Sequence, residues 1–322
     1  MHAQVVVVGS YNQDHVWRVD RFPQPGETRR GSGFQTGPGG KGFNQAVACA
    51  RQGVDTAFIG ARGNDALGET AERTARAEGL ACHWQVRDDL PTGSACIVVD
   101  GAGQNQIVVD LGANERLDAA FVAAQAPLFE RARVVLLQME NNIEAIVGAL
   151  QRARDGGATC VLNPAPVHAG MTVGDLALAD VLVPNEGEFA QLCGRFAGID
   201  FAADSVAGMD ASTLHALARR LTTGTLVITL GSRGCFVSHG DARRGDAGEH
   251  YHVVAETVAP VDTTAAGDAF CGALAAGLVR LADRPFADAV RHANRVAALS
   301  TERRGAAATM PRFDEIAARF PS

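Results

Sequence analysis

Lysine is nearly missing from this chain. Lys41 is the only one, and arginine supplies every other side chain in a set of 29 basic residues. No basic run of five or more residues occurs and the formal net charge is −7, so binding to nucleic acid through its phosphates is disfavoured. Paired cysteines are also missing. Cys49, Cys82, Cys96, Cys160, Cys193, Cys235 and Cys271 are scattered singly, without a Cys-x-x-Cys pair. That excludes a cysteine-clustered metal site and points to small reduced thiols in a cytoplasmic protein. No apolar stretch approaches the roughly 18 residues of a membrane-spanning helix. The start, Met1 to Val8, lacks the basic segment of a secretory signal, so no membrane partner is expected. Two nucleotide-binding signatures are absent as well. There is no Gly-x-x-x-x-Gly-Lys-Ser/Thr loop, and Gly9 is followed by Ser10-Tyr11-Asn12 instead of the glycines of a dinucleotide-binding turn.

What is present supports a large packed core. Hydrophobic residues make up 47% of the 322 positions and charged ones 20%, which argues against disorder. The length suits one α/β domain over residues 1–322 with a small accessory piece. Gln4–Gly9 reads as a strand buried on both faces. Residues 12–37, broken by Pro23, Pro25 and Gly26, read as small strands outside the main core. Gly42–Gln52 has helical spacing, Ala57–Gly60 reads as a strand, and Ala66–Glu78 as a helix stopped by Gly79. Ser94–Val109 reads as a hairpin that joins residues 12–37 in a second sheet.

After residue 114 strands and helices alternate. Strands are expected at Val134–Gln138, Cys160–Asn163, Val181–Pro184 and Leu226–Leu230. Helices are expected at Glu115–Glu130, Ile143–Arg154, Gly187–Cys193, Ser212–Thr222, Gly267–Leu281 and Phe286–Arg303, with 195–211 as loop. Such alternation predicts a doubly wound, mostly parallel sheet with helices on both faces. Ligands of these sheets bind outside the carboxyl ends of the strands. Asn163, Asn185, Glu188 and Thr229 fall there.

Asp262-Thr263-Thr264-Ala265-Ala266-Gly267-Asp268 opens an apolar helix. A helix start leaves backbone N–H groups unpaired and carries partial positive charge, so it holds phosphate. A carboxylate at its rim can take the proton of an attacking hydroxyl. Gly37 to Ala46 is a glycine-rich stretch before another helix. It is either a flexible turn or a place where backbone meets ligand closely. Asn12 and Asp14 alternate along the chain, as an Asx turn or as an amide and a carboxylate facing a polyhydroxylated ligand. Asn185-Glu186-Gly187-Glu188 reads as a helix cap, or as oxygen donors for hydrated Mg²⁺ near nucleotide phosphates. His250 and His252 show no metal spacing and read as strand-face or surface residues.

Together these segments resemble the ribokinase-like (PfkB) family of carbohydrate kinases. The resemblance runs through Val8–His15, Phe22–Thr28, Gly39–Ala46, Gly112–Asn114, Leu162–Pro166, Pro184–Glu186, Ile228–Gly234, Asp262–Asp268 and Arg304–Ala306. It implies a doubly wound domain with a β-sheet lid from about 12–37 and 92–113, often used as a dimer clasp. Its activity would be ATP-dependent phosphorylation of a primary sugar hydroxyl, with D-ribose foremost. Another sugar or a nucleoside is the alternative acceptor, and a non-catalytic sugar-binding protein the remaining one. Sugar contacts would come from Asn12, Asp14, Gly40, Lys41, Asn44 and Glu140. Asp268 would be the catalytic base beside the amides of Ala265, Ala266 and Gly267. Nucleotide contacts would fall on Asn185, Thr229, Gly231, Gly267 and Asn294, with Glu188 reaching Mg²⁺ through water. A monovalent cation, potassium in such kinases, would use Asp262, Thr264 and carbonyls at Thr301, Arg304 and Ala306. Two positions depart from the family: Phe43, where a small residue is usual, and Asn294, where some members have histidine.

Overall fold

The computed structural model describes residues 3–321. In chain order the strands are β1 (Val5–Val8), β2 (Asn12–Arg18), β3 (Ser32–Gly39), β4 (Thr56–Gly63), β5 (Ala81–Arg87), β6 (Ser94–Val99), β7 (Asn105–Asp110), β8 (Val134–Leu137), β9 (Thr159–Leu162), β10 (Val181–Leu182), β11 (Thr225–Thr229), β12 (Cys235–Ser238) and β13 (His250–Val253). The α-helices are α1 (Lys41–Arg51), α2 (Ala66–Ala77), α3 (Ala119–Ala124), α4 (Ala126–Phe129), α5 (Ile143–Asp155), α6 (Val173–Leu176), α7 (Glu186–Leu192), α8 (Ala211–Leu221), α9 (Ala266–Arg280), α10 (Phe286–Ser300) and α11 (Phe313–Arg319).

The four valines of β1 explain the centre of the molecule. All are fully buried because β1 pairs in parallel with β4 on one side and β8 on the other. Alternate side chains go to opposite faces of a strand. Val5 and Val7 therefore join a core with Phe43, Phe270 and Val290, while Val6 and Val8 join another with Ile146, Leu150 and Leu214. The result is a nine-stranded sheet in the order β13-β12-β11-β10-β9-β8-β1-β4-β5, with helices on both faces. In this sheet the pairs β11–β12 and β12–β13 are antiparallel and the other pairs parallel.

A separate four-stranded sheet has the order β3-β2-β6-β7. The expected hairpin is β6 and β7, and β6 pairs in parallel with β2, which joins it to the early segment. Since β2 begins at Asn12, four residues past the end of β1, this second sheet stands beside the carboxyl ends of the main strands.

Some expectations need correction. The single helix over 115–130 is instead a 3₁₀ turn at Gly112–Arg116 followed by α3 and α4. Asp118 starts α3 by accepting the Ala120 N–H, and Pro127, which has no N–H to continue α3, sits in the first turn of α4. The loop at 195–211 carries a π turn at Cys193–Ala197 and a 3₁₀ segment at Ala203–Gly208. The strands β5, β12 and β13 and the helix α11 have no counterpart in the sequence reading.

Candidate active site

Two helix starts converge at the carboxyl ends of the strands. α9 begins at Ala266, and Asp268 in its first turn is buried. α1 begins at Lys41, directly after Gly40. Asn44 Nδ2 donates to Asp268 Oδ2 and Gln45 Nε2 donates to Asp268 Oδ1, both at 2.9 Å. Before α9 the backbone at Ala265 takes the left-handed conformation, with φ 59°. Alanine tolerates this region poorly, so the turn from Asp262 into the helix carries backbone strain.

Gly40 is required for the α1 start. Its φ is +85°, and a Cβ there would lie 2.7 Å from the Asn12 N and 2.9 Å from the Tyr11 Cα. The close approach lets Lys41 N donate to Glu140 Oε2 (3.0 Å), which also accepts the Ser10 hydroxyl (2.6 Å). Asn12 and Asp14 lie in β2, so they form no Asx turn. Asn12 is buried and its Oδ1 accepts Asn114 Nδ2 at 3.0 Å. Burial pushes the Asp14 carboxyl up to about 7, with the carboxylates of Glu140 and Asp268 adding to the effect. The Lys41 amine is also raised, first by Asp268 against the opposing effect of burial, then by Glu140 and Glu188. The lysine amine thus lies in the field of three carboxylates.

Phe43 points the other way. It is fully buried, with edge contacts to Tyr11 at 5.0 Å and Phe58 at 5.7 Å, so it packs between helix and sheet.

Asn185 caps α7: its Oδ1 accepts the Glu188 N–H at 2.9 Å, and Glu188 Oε2 accepts the Asn185 N–H at 2.8 Å. Burial raises the Glu188 carboxyl. Asn185 bridges to Thr229 at the end of β11, and Gly231 follows with φ +53°. Asn294 lies apart on α10, where its Nδ2 donates to the carbonyls of Val253 (3.2 Å) and Val254 (3.4 Å). It lines a cavity of about 250 Å³ with His252 and Arg291.

Asp262 joins two loops. Its Oδ1 accepts Thr264 N (3.0 Å) and its Oδ2 accepts Gly305 N (3.2 Å). The Thr301 carbonyl accepts the N–H groups of both Val261 (2.7 Å) and Asp262 (3.0 Å), and Ala306 O accepts the Thr309 hydroxyl at 2.7 Å. A larger cavity of about 940 Å³ lies between the second sheet and these loops, lined by Asp14, Val16, Ile97, Ile107, Asp262 and Arg304. Among the described residues no group of three or more His, Cys, Asp or Glu is placed to hold a metal ion.

Sequence reading missed four polar residues that bind this arrangement together: Ser10, Gln45, Asn114 and Gln138. Gln45 is fully buried and Gln138 Nε2 donates to its Oε1 at 2.6 Å. A glutamine on the apolar stripe of a helix, next to a candidate ligand, was the available signal.

The model of the pfkB family carbohydrate kinases matches residues 2–312. Ribokinase of Haemophilus influenzae is 35% identical over 98% of this chain and 97% of its own length. The structure of ribokinase from Giardia lamblia matches with TM-score 0.86 at 30% identity, covering 99% of this chain and 100% of that one. The structure of Arabidopsis thaliana ribokinase complexed with ribose and ATP matches with TM-score 0.81 at 26% identity, covering both chains fully (100% each). With the family model spanning nearly its whole length and the two helix starts meeting over Asp268, the chain belongs to the pfkB family of carbohydrate kinases.

Proposed function

We propose that this protein transfers the γ-phosphoryl group of ATP to the primary hydroxyl at C5 of D-ribose. The observation that carries the reading is the Asp268 carboxylate, held by two side-chain amides in the first turn of α9 beside the strained Ala265 turn. Relatives named ribokinase at 35% identity support ribose as the acceptor.

The ribose hydroxyls meet Asn12, Asp14, Asn44 and the backbone at Gly40, with Lys41 and Glu140 at the edge. Asp268 takes the proton from the C5 hydroxyl as its oxygen forms a bond to the γ-phosphorus. The bond from that phosphorus to the β–γ bridging oxygen breaks, and ADP leaves. Backbone N–H groups of residues 265–268 stabilise the charge that spreads over the γ-phosphoryl oxygens. The nucleotide lies along Asn185, Thr229, Gly231 and Gly267, with its base toward Asn294. Glu188 and Asn185 supply hard oxygens that suit a hydrated Mg²⁺, which neutralises phosphate charge when bound. Potassium would be held by Asp262, Thr264, Arg304 and Ala306, and would steady the 262–268 turn. Thr301 and Ala306 fit that role least, since each carbonyl already accepts two donors.

The second sheet acts as the lid, over 12–37 and 92–113, and excludes water from the transfer. Its outer face exposes Phe34 (54%) and Val108 (72%), with Phe34 and Trp17 rings 4.9 Å apart, which supports a homodimer through this sheet. The seven free thiols accord with a cytoplasmic location. Among the described residues no helix is long and apolar enough to cross a membrane.

One observation favours a bulkier acceptor. The 940 Å³ cavity beside Asp14 has an aliphatic wall of Val16, Ile97, Val99 and Ile107, which suits the base of a nucleoside. Coupled assays with ribose, deoxyribose, fructose, adenosine and inosine, run with and without potassium, separate these acceptors. Asp268→Asn should lower kcat by at least about 10²-fold with little change in ribose affinity. Near-normal turnover of that variant removes Asp268 from the role of base, and no turnover on any acceptor by the unaltered protein returns the chain to a sugar-binding role.

A further inference from the structure

Behind Asp268 runs a buried file of side-chain amides whose polarity is set at its far end. Asn163 Nδ2 donates to the Val183 carbonyl at 2.8 Å. A backbone carbonyl can only accept, so this bond fixes which way the Asn163 amide faces. Asn163 Oδ1 is thereby turned to Gln45, whose Nε2 donates to it at 3.0 Å. The other hydrogen of the same Nε2 goes to Asp268 Oδ1 at 2.9 Å. Gln45 Oε1 is left facing Gln138, and accepts its Nε2 at 2.6 Å. Reversing any one amide would set oxygen against oxygen somewhere in the file. The ends of β8, β9 and β10 thus aim one N–H at one carboxylate oxygen.

Gln45 has no exposed surface, so it cannot touch a sugar or a nucleotide. Asn44, the neighbouring residue on α1, differs. Its Nδ2 holds the second oxygen, Oδ2, while its own buried Oδ1 has no partner among the described residues. The two oxygens of Asp268 are therefore held by two different side chains of α1, and only that of Gln45 is oriented in turn by the file behind it.

We infer that Gln45, oriented by Asn163 and Gln138, is a positioning residue that fixes the rotation of the Asp268 carboxylate for proton abstraction. The inference rests on Asp268 being the base. A carboxylate free to turn presents a lone pair to the hydroxyl only part of the time, and misplacement by about 1 Å can cost ~10²-fold in rate. Ground-state binding of the sugar, which uses other residues, is untouched.

The test is a double-mutant cycle in the full-length protein, with ATP and ribose as substrates. Gln45→Met keeps an unbranched side chain of similar length without an N–H. It should lower kcat about 10- to 100-fold and leave KM for ribose and ATP within about threefold. In an Asp268→Asn background the same change should have no further effect on kcat, because two residues acting through one group are not additive. Asn163→Ala removes the amide that orients Gln45 and should lower kcat about 3- to 10-fold. It carries the test if circular dichroism shows Gln45→Met unfolded. Wild-type kcat in Gln45→Met, or a loss that repeats in full when Asp268 is already Asn, overturns the inference. If Asp268→Asn itself keeps its turnover, the base assignment fails instead.

Discussion

The carboxylate of Asp14 occupies the space above Gly39: a Cβ built on that glycine would lie 2.3 Å from both carboxylate oxygens. Contact this short must be relieved, and the side chain is what can move. Gly39→Ala should therefore displace Asp14 and raise KM for ribose by about tenfold or more, the order expected when one charged hydrogen-bond acceptor is lost. The fold should persist, since Asp14 lies at the edge of the cavity and not in a core. Ribose titration by calorimetry checks this, and unchanged affinity would separate Asp14 from the sugar.

Asp14 also gives the protein a pH dependence whose sign follows from its surroundings. Its carboxyl is moved from an ordinary 3.8 to about 7, by burial first and then by Glu140 and Asp268. Between those values the folded chain holds this proton more tightly than the unfolded one. Asp14 thus contributes stability at pH 4 that is lost as pH rises through 7. In the proposed site the sugar hydroxyls donate to the ionised Asp14 carboxylate, so ribose affinity should fall nearly tenfold per unit below pH 7. Asp14→Asn should bind ribose poorly yet melt a few degrees higher than the unaltered protein at pH 8 without sugar. A ribose Kd that stays flat from pH 5.5 to 8.5 is incompatible with this account.

The order of strands and helices was readable because periodicity reports burial, and burial is what a doubly wound sheet imposes on Val5–Val8 or α9. The antiparallel edge was not, since β12 and β13 are short and β13, with two histidines and a tyrosine, has no apolar run. Asn12, Asp14, Asn44 and Asp268 could be named because their motifs recur in a known family. Gln45 and Gln138 could not, because their role depends on amide orientation set by Val183, which is remote in sequence. The left-handed φ of Ala265 is likewise invisible in the sequence, where alanine predicts plain helix.

Asp262 braces the turn that leads into α9. One oxygen holds the Thr264 N–H and the other the Gly305 N–H, so the carboxylate ties the 262–264 turn to the 304–306 loop. Asp262→Ala removes both bonds and the charge that would favour a cation. Each bond to a charged acceptor contributes ~1.5–3 kcal/mol when buried and less at a half-buried residue such as this. The expected outcome is a loss of stimulation by potassium, with the concentration for half-maximal activity raised at least about tenfold. A potassium titration of kcat checks it. Identical titration curves for the two proteins would place the cation elsewhere or remove it.

Lys41 offers a direct probe of the charge balance over Asp268, because it is the only lysine in the chain. Its amine is held protonated above the ordinary lysine value, and Asp268 is the largest cause, ahead of Glu140 and Glu188. Only the neutral amine reacts with acylating reagents, so Lys41 should be acetylated slowly at pH 8. Replacing Asp268 by Asn takes away the main stabilising charge but leaves burial, which opposes protonation. One pKa unit is a tenfold change in the neutral fraction while the amine remains mostly protonated. Acetylation of the Lys41 peptide, followed by mass spectrometry, should therefore be up to about tenfold faster in Asp268→Asn than in the unaltered protein. ATP and ribose together should slow it by covering the site. Equal rates in the two proteins would mean that Lys41 and Asp268 do not share a field, and the account of one lysine amine in the field of three carboxylates would have to be abandoned.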